Sequence, residues 1–355
     1  MNTLIASALT YCYVGCSSPS NTIASLHVLK CDTSSGAIEI VQSVKGVQGT
    51  TYFQIDKSSG SLYSVVSTPD KGAKTSSVVN FPIKKDHTLG KMRYLASLPC
   101  ETPCHVEISR RLNQIAFASY TSATVGVLPI DGVGGLKSTV LPDVGMGDNV
   151  KRQKKAYAHF AFYTPENDVV GFIDLGCDAV HFFDAKTFEP VPQMSIKADC
   201  GDGPRHAVWS KDRKYLYVLN ELSSSVTSYS YDDRKFKRVR KVSMLPDSYK
   251  GETKAAAIKI TDDGKILMAS NRGHDSIAFY ATDPKGGLVL KNIAKLKGRF
   301  PRDFELMPGE KFMIVGHKMS DEIQVYRFDR EKCTLSPVGE PVKVHRPLCF
   351  KFMEN

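Results

Sequence analysis

The sequence predicts an all-β protein, a seven-bladed β-propeller of four-stranded blades, and three observations predict it. One pattern recurs: a short strand, a tight polar turn, a second strand ending in a polar cluster, then a third strand. Seven copies fit into 355 residues, about 51 residues each, which is the footprint of a blade. No stretch carries apolar residues at helical spacing over roughly 10–12 residues.

The units run in order along the chain. Two weaker copies start near Tyr11 and Thr51. The next starts at His105 and passes Tyr120. The fourth starts at His159-Phe160-Ala161-Phe162, passes Asp174-Leu175-Gly176 and resumes at Ala179 to Phe183. The clearest copy is Arg205 to Trp209, a turn over Ser210 to Arg213, then Lys214 to Leu219 and Ser225 to Tyr231. Its period-2 alternation and β-branched or aromatic content read as strands. Another runs Ala256 to Ile260, turns at Asp262-Asp263-Gly264 and continues to Ser270 and Tyr280. The last runs Asp303 to Met307, turns at Pro308-Gly309 and reaches His317 and Phe328. Aspartate and glycine at such turns suit tight hairpins. The stretch Leu348 to Phe352 reads as a lone strand, expected to pair with N-terminal strands and close the ring. Blades cannot bury their faces alone, so residues 1–355 are expected to form one domain.

Composition narrows the function classes. With 42% hydrophobic and 24% charged residues the chain can bury a large core, which excludes disorder as its main state. Lysine and arginine number 47 against 37 acids, a net charge of +10, so an anionic partner is expected. No segment is long and apolar enough for a membrane helix. Leu4 to Cys16 resembles a short secretory segment, but no Lys or Arg precedes it and Thr10, Tyr11 and Tyr13 favour a strand. The nine cysteines include two C-x₃-C pairs, Cys12/Cys16 and Cys100/Cys104, and read as reduced thiols of a cytoplasmic protein. No His/Cys set has metal-ligand spacing, and no phosphate-cradling glycine loop opens a helix, so no cofactor is expected. The basic runs Lys151 to Lys155 and Arg234 to Lys241 read as solvated loops without the aromatic interleaving of a nucleic-acid groove.

Spacing gathers the remaining polar residues. The first two strands of a blade are antiparallel, so the start of the first and the end of the second share a rim. Arg205 and Glu221 are 16 residues apart; His159 and Asp174, and Arg302 and His317, are 15 apart. One channel mouth should therefore collect His159, Asp174, Arg205, His206, Glu221, Arg272, His274, Asp275, Arg302 and His317. Asp174 and Asp275 suit a supporting role, fixing loops through backbone N–H groups. Three arginines and a glutamate at one mouth make an anion trap.

Four motifs in order carry a resemblance: Gly203-Pro204-Arg205-His206, Leu219-Asn220-Glu221-Leu222, Ser270-Asn271-Arg272-Gly273-His274-Asp275, and Pro301-Arg302-Asp303-Phe304. With Asp174-Leu175-Gly176 they resemble the seven-bladed lactonase family, which includes the propeller-type 6-phosphogluconolactonases and the carboxy-cis,cis-muconate lactonising enzyme. The likeness is close over residues 156–330 and looser over the first hundred. It implies catalysis by His159, Arg205, Glu221 and Arg272. It implies hydrolysis of 6-phosphogluconolactone or a related sugar lactone, as in the pentose phosphate pathway, or alternatively muconate-type cyclisation. A non-catalytic binding module is the other reading, since propellers host unrelated tasks. For hydrolysis, Glu221 or His159 would activate water, and Arg205 and Arg272 would stabilise the oxyanion. His206 and His274 would contact substrate, and Arg302 with His317 or Lys318 would take a phosphate. The expected partner is a small anionic lactone, with no nucleic acid and no membrane; the sequence carries no signal for oligomeric state.

Overall fold

A computed structural model describes residues 8–70, 73–145 and 147–353. It contains seven four-stranded antiparallel sheets in chain succession, and the fold is a seven-bladed propeller. The one helical element among the described residues is a single 3₁₀ turn, Pro192–Met194. No helix among them is long and apolar enough to cross a membrane.

Local sequence explains the repeated unit. In the fifth blade the strands are Pro204–Trp209, Tyr215–Asn220, Ser225–Asp232 and Lys235–Ser243. The three inner strands are mostly buried, whereas the outer one is largely exposed and rich in Lys and Arg. A charged edge strand resists pairing with another chain. The run Arg234 to Lys241 is thus an edge strand and its turn rather than a free loop. Arg234 pairs with Asp168, Arg238 with Asp199 at 2.6 Å, and Lys241 with Asp199 and Asp202. Gly264 closes its hairpin at φ +72°, a conformation L side chains resist.

The core lies between blades. Tyr217, Leu219 and Val226 of the fifth pack on Ile258, Leu267, Ala269 and Tyr280 of the sixth. Such packing needs a closed ring. Pro347–Met353 pairs antiparallel with Leu9–Cys16, Val14 opposite Phe350, and becomes the innermost strand of the first blade. The unit expected to start near Tyr11 therefore begins instead at the far end of the chain, because Leu9–Cys16 is the second strand of its blade. Leu9–Cys16 of the secretory-like segment forms this strand, while Leu4 to Ser7 lie outside the described residues.

A bulge recurs at the same place in six blades. The innermost strand carries extra residues near its start, opposite the end of the second strand. Arg205 falls between the pairs Pro204↔Asn220 and His206↔Leu219. His159, Arg302, Cys104 and Leu348 occupy the same slot in their blades, and Ala256-Ala257 does so in the sixth. A bulge re-aims the extra side chain out of the sheet's alternation. It thereby presents a ring of residues to one channel mouth.

Candidate active site

The bulges feed a cavity of about 550 Å³. His159, Arg205, Arg302, Cys104 and Leu348 line it from bulge positions, with Thr51 just ahead of the second blade's inner strand. The end of the second strand supplies a second tier: Tyr120, Glu221 and Lys318 directly follow it in their blades, and Arg272 is its last residue in the sixth.

Glu221 is the hub. Its Oε2 lies 3.0 Å from Arg205 Nε and 2.7 Å from Arg272 Nη2, while Oε1 lies 2.6 Å from Arg152 Nη2. Burial opposes the charged carboxylate, but Arg272, Arg205 and Arg152 outweigh it and hold Glu221 well below the usual carboxylate range. Arg205 and Arg272 are also tied to backbone. Arg205 Nη1 donates to Ala256 O, and Arg272 donates to Lys254 O at 3.1 Å and Ala255 O at 2.7 Å. Both arginines are thus fixed in place, with their remaining N–H groups at the cavity.

Three histidines pack together here. The His159 and His206 rings are 5.2 Å apart and those of His105 and His206 5.9 Å. Arg205 Nη1 lies 2.9 Å from His206 Nε2. Guanidinium can only donate, so His206 accepts there and is neutral. Burial, then the charge of Arg205, holds His105, His159 and His206 all below the ordinary histidine value; for His105 the Lys351 ammonium precedes Arg205 among the causes.

The other cations have no acid of their own. Among the described residues, neither Arg302 nor Lys318 has a carboxylate within ion-pair distance or a side-chain hydrogen bond. Phe300 lies near Lys318 Nζ, 6.0 Å from its ring centroid, and its ring also faces Arg272. Burial, then Arg272, pushes Arg302 down to about 10. Burial, then Arg302, Arg346 and Arg272, pushes Lys318 down to about 8.

Seven of the eleven residues singled out in the sequence thus line this cavity: His159, Arg205, His206, Glu221, Arg272, Arg302 and Lys318. His317, Asp174, His274 and Asp275 are off its wall. In the third, fifth, sixth and seventh blades the bulge makes the spacing from inner slot to cavity tier 16 (Cys104 to Tyr120, Arg205 to Glu221, Ala256 to Arg272, Arg302 to Lys318), so a partner 15 residues on faces the other way. His317 lies under Gly298, where a Cβ would sit 2.2 Å from its ring, and 3.3 Å from Tyr326 Oη. Asp174 Oδ1 accepts the N–H groups of Tyr157, Gly176 and Cys177. His274 packs on Tyr249 and its Nδ1 lies 2.8 Å from Ser276 Oγ. Asp275 Oδ1 accepts from the N–H of Phe300 at 2.8 Å and so fixes the loop that carries that ring.

Sequence reasoning missed Arg152, along with Tyr52, Cys104 and Tyr120. Arg152 belongs to the basic run read as a solvated loop, yet it reaches Glu221 across 69 positions of sequence. Tyr120 follows its second strand as Glu221 does, and that register was the available signal.

Fold and site together define a propeller with a cavity at one mouth lined by Arg152, Arg205, Arg272, Arg302 and Lys318 around Glu221. The model of the "Lactonase, 7-bladed beta-propeller" family matches residues 11–352, and the chain belongs to that family. It is 29% identical over 337 residues to a 6-phosphogluconolactonase of Bacillus subtilis (strain 168), covering 93% of this chain and 95% of that one. It is 29% identical over 336 residues to a 6-phosphogluconolactonase of Formosa agariphila, covering 90% and 93%. A solved protein from Lactobacillus plantarum superposes with TM-score 0.87 at 27% identity, over 98% of this chain and 100% of that one. A periplasmic gluconolactonase of Pseudomonas aeruginosa shares the fold, with TM-score 0.86 at 21% identity over 97% and 99%.

Proposed function

We propose that the protein hydrolyses an anionic sugar lactone, 6-phosphogluconolactone being the substrate that suits the site. The observation that carries this reading is the cation pair Arg302 and Lys318, left without acidic partners in the same cavity as a neutral histidine. Buried unpaired charge is costly, and a phosphate would offset that cost with charge-assisted hydrogen bonds. The relatives named 6-phosphogluconolactonase support the same substrate.

Two bases compete, and charge chooses between them. Glu221 carries three guanidinium contacts and is a weak base. His159 is neutral, and its Nδ1 is buried without a partner, which leaves Nε2 for chemistry. In the proposed reaction Nε2 takes a proton from water as the water oxygen bonds to the lactone carbonyl carbon. Arg205 and Arg272 stabilise the tetrahedral oxyanion. The bond from that carbon to the ring oxygen then breaks, and His159 returns its proton to the leaving oxygen. Lactone and water become a hydroxy acid, and the histidine ends neutral. Glu221 holds the two arginines and offsets the brief imidazolium charge. His206 keeps Arg205 in place by accepting its N–H. The nine free cysteines support a cytoplasmic setting.

The test is hydrolysis of freshly generated 6-phosphogluconolactone above its spontaneous rate, followed by proton release. A roughly tenfold loss in Arg205→Ala, about 1.4 kcal/mol of transition-state stabilisation, supports the assignment. No rate above baseline in the wild type sinks it.

A further inference from the structure

We propose that Arg152 is the residue by which the pocket tells an anionic lactone from a neutral one. It does so by leaving Glu221 for the substrate's anionic group, which closes the mouth over that group. The inference rests on the lactonase reading for its substrate and on geometry for the residue.

Three guanidinium groups contact Glu221, and they are not equivalent. The side chains of Arg205 and Arg272 are 2% and 4% exposed; that of Arg152 is 28% exposed. The first two come from propeller strands and share Oε2. Both also donate to backbone carbonyls that fix them. Arg152 comes from the connection between the third and fourth blades and holds Oε1 alone. Its guanidinium partners are two side chains at the cavity, Glu221 and the Tyr120 hydroxyl at 3.3 Å. Two other cations already neutralise the carboxylate, so Arg152 is the surplus one. Its contact with Glu221 is the one an incoming anion can replace without leaving a buried charge unpaired.

The backbone beneath Arg152 is pinned. Gln153 Nε2 donates to Leu175 O at 2.9 Å and to Asp178 Oδ1 at 2.8 Å. Lys155 Nζ donates to Thr121 O and the Ala156 N–H to Asp143 Oδ1. The motion is therefore a change of side-chain rotamer on a fixed base rather than an opening of the loop. A bidentate fork suits phosphate or carboxylate oxygens and finds nothing comparable on a neutral sugar.

The experiment compares wild type, Arg152→Ala and Arg152→Lys. Hydrolysis is measured with 6-phosphogluconolactone and with uncharged gluconolactone. Binding is measured calorimetrically with 6-phosphogluconate and gluconate. Arg152→Ala should lower the ratio of kcat/KM values, phosphorylated over neutral, by about tenfold or more. The ratio of affinities for 6-phosphogluconate and gluconate should fall alike. Arg152→Lys, which keeps the charge and the fold but not the fork, should fall between. If both substrates and both products lose equally in Arg152→Ala, Arg152 only braces Glu221 and the proposal fails. If the wild type opens neither lactone, the lactonase reading fails, and the affinity ratio still decides the role of Arg152.

Discussion

Lys318 gives the sharpest test of where a phosphate would sit. Its ammonium is pushed down to about 8 by burial and then by Arg302, Arg346 and Arg272. The folded, empty protein therefore loses this charge as pH rises through 8. A bound phosphate opposes that loss. At an effective dielectric of about 20 an ion pair near 4 Å is worth about 4 kcal/mol, enough to return the lysine to its ordinary value near about 10.4. Between roughly pH 8 and 10 each mole of ligand then takes up one proton on binding, and the dissociation constant rises about tenfold per pH unit. Arg302, at about 10, stays charged over most of this window, and phosphate is already a dianion above about pH 7. Calorimetric titration of 6-phosphogluconate from pH 7 to 9.5 reads the slope, with gluconate as the control for pH effects away from the phosphate. Lys318→Arg should flatten the dependence, because a guanidinium keeps its charge. A flat wild-type profile, or the same limb surviving in Lys318→Arg, would refute the reasoning.

Four further outcomes are expected. Glu221→Gln leaves three guanidinium groups facing each other and should cost about 3–5 kcal/mol; denaturant unfolding followed through Trp209 would show a loss under about 1 kcal/mol if the hub were dispensable. His159→Gln should lower kcat by about 10²–10⁴, and wild-type kcat/KM for uncharged gluconolactone, which does not depend on Lys318 or on a phosphate, should stay level from pH 8 to 6, its acid limb lying below the ordinary histidine value because burial and then Arg205 and Arg302 hold His159 down; a limb centred near 6.5 would contradict this. His105, His159 and His206 are neutral in the fold and protonate on unfolding, so stability is present above about pH 6.5 and is lost below it, by up to about 4 kcal/mol per pH unit for three protons; unfolding midpoints at pH 6.5, 6 and 5.5 check the slope. Gly176→Ala places a Cβ 1.7 Å from Lys155 O, which must displace the backbone that carries Arg152; thermal stability should fall, along with the preference for phosphorylated over neutral substrate.

The blades were legible because a strand and its hairpin are local. Alternation in Lys214 to Leu219 and the turn at Asp262-Asp263-Gly264 each need only a few neighbours to be read. The closing strand was legible for a related reason: Leu348 to Phe352 has strand character and no partner beside it in sequence. What is written at long range was not legible. The first blade takes its inner strand from residues more than 300 positions away, so nothing near Tyr11 marks that strand as second rather than first. A bulge adds a residue without a compositional mark. A count of 15 from His159 and Arg302 therefore lands on Asp174 and His317, which staple their own blades, instead of on Leu175 and Lys318. Arg152 sits in a run of Lys and Arg that has the composition of any solvated loop; only the fold brings it to a carboxylate that already has two arginines.

Following the bulge slots around the ring shows why one mouth can orient a substrate. Blades one and three present Leu348 and Cys104 from their bulges, and the second, without one there, presents Thr51 just ahead of its inner strand; the Cys104 thiol is pushed up to about 12 by burial, despite the opposing charges of Arg205 and Arg302, so none of these three positions carries a charge. Blades four to seven present His159, Arg205, Ala256 and Arg302. Ala256 is the small member among large ones, and its carbonyl is the acceptor that fixes Arg205. The same backbone device, repeated in six blades, thus yields uncharged slot residues on one arc and the proposed base, oxyanion site and anion clamp in sequence on the other. On the proposed function, a lactone with an anionic tail would lie with its carbonyl toward Arg205 and its tail among the cations that line the same cavity, Arg302 and Lys318 of the seventh blade and Arg152 of the connection before the fourth. The asymmetry comes from side chains at equivalent slots, and the propeller itself contributes only the spacing.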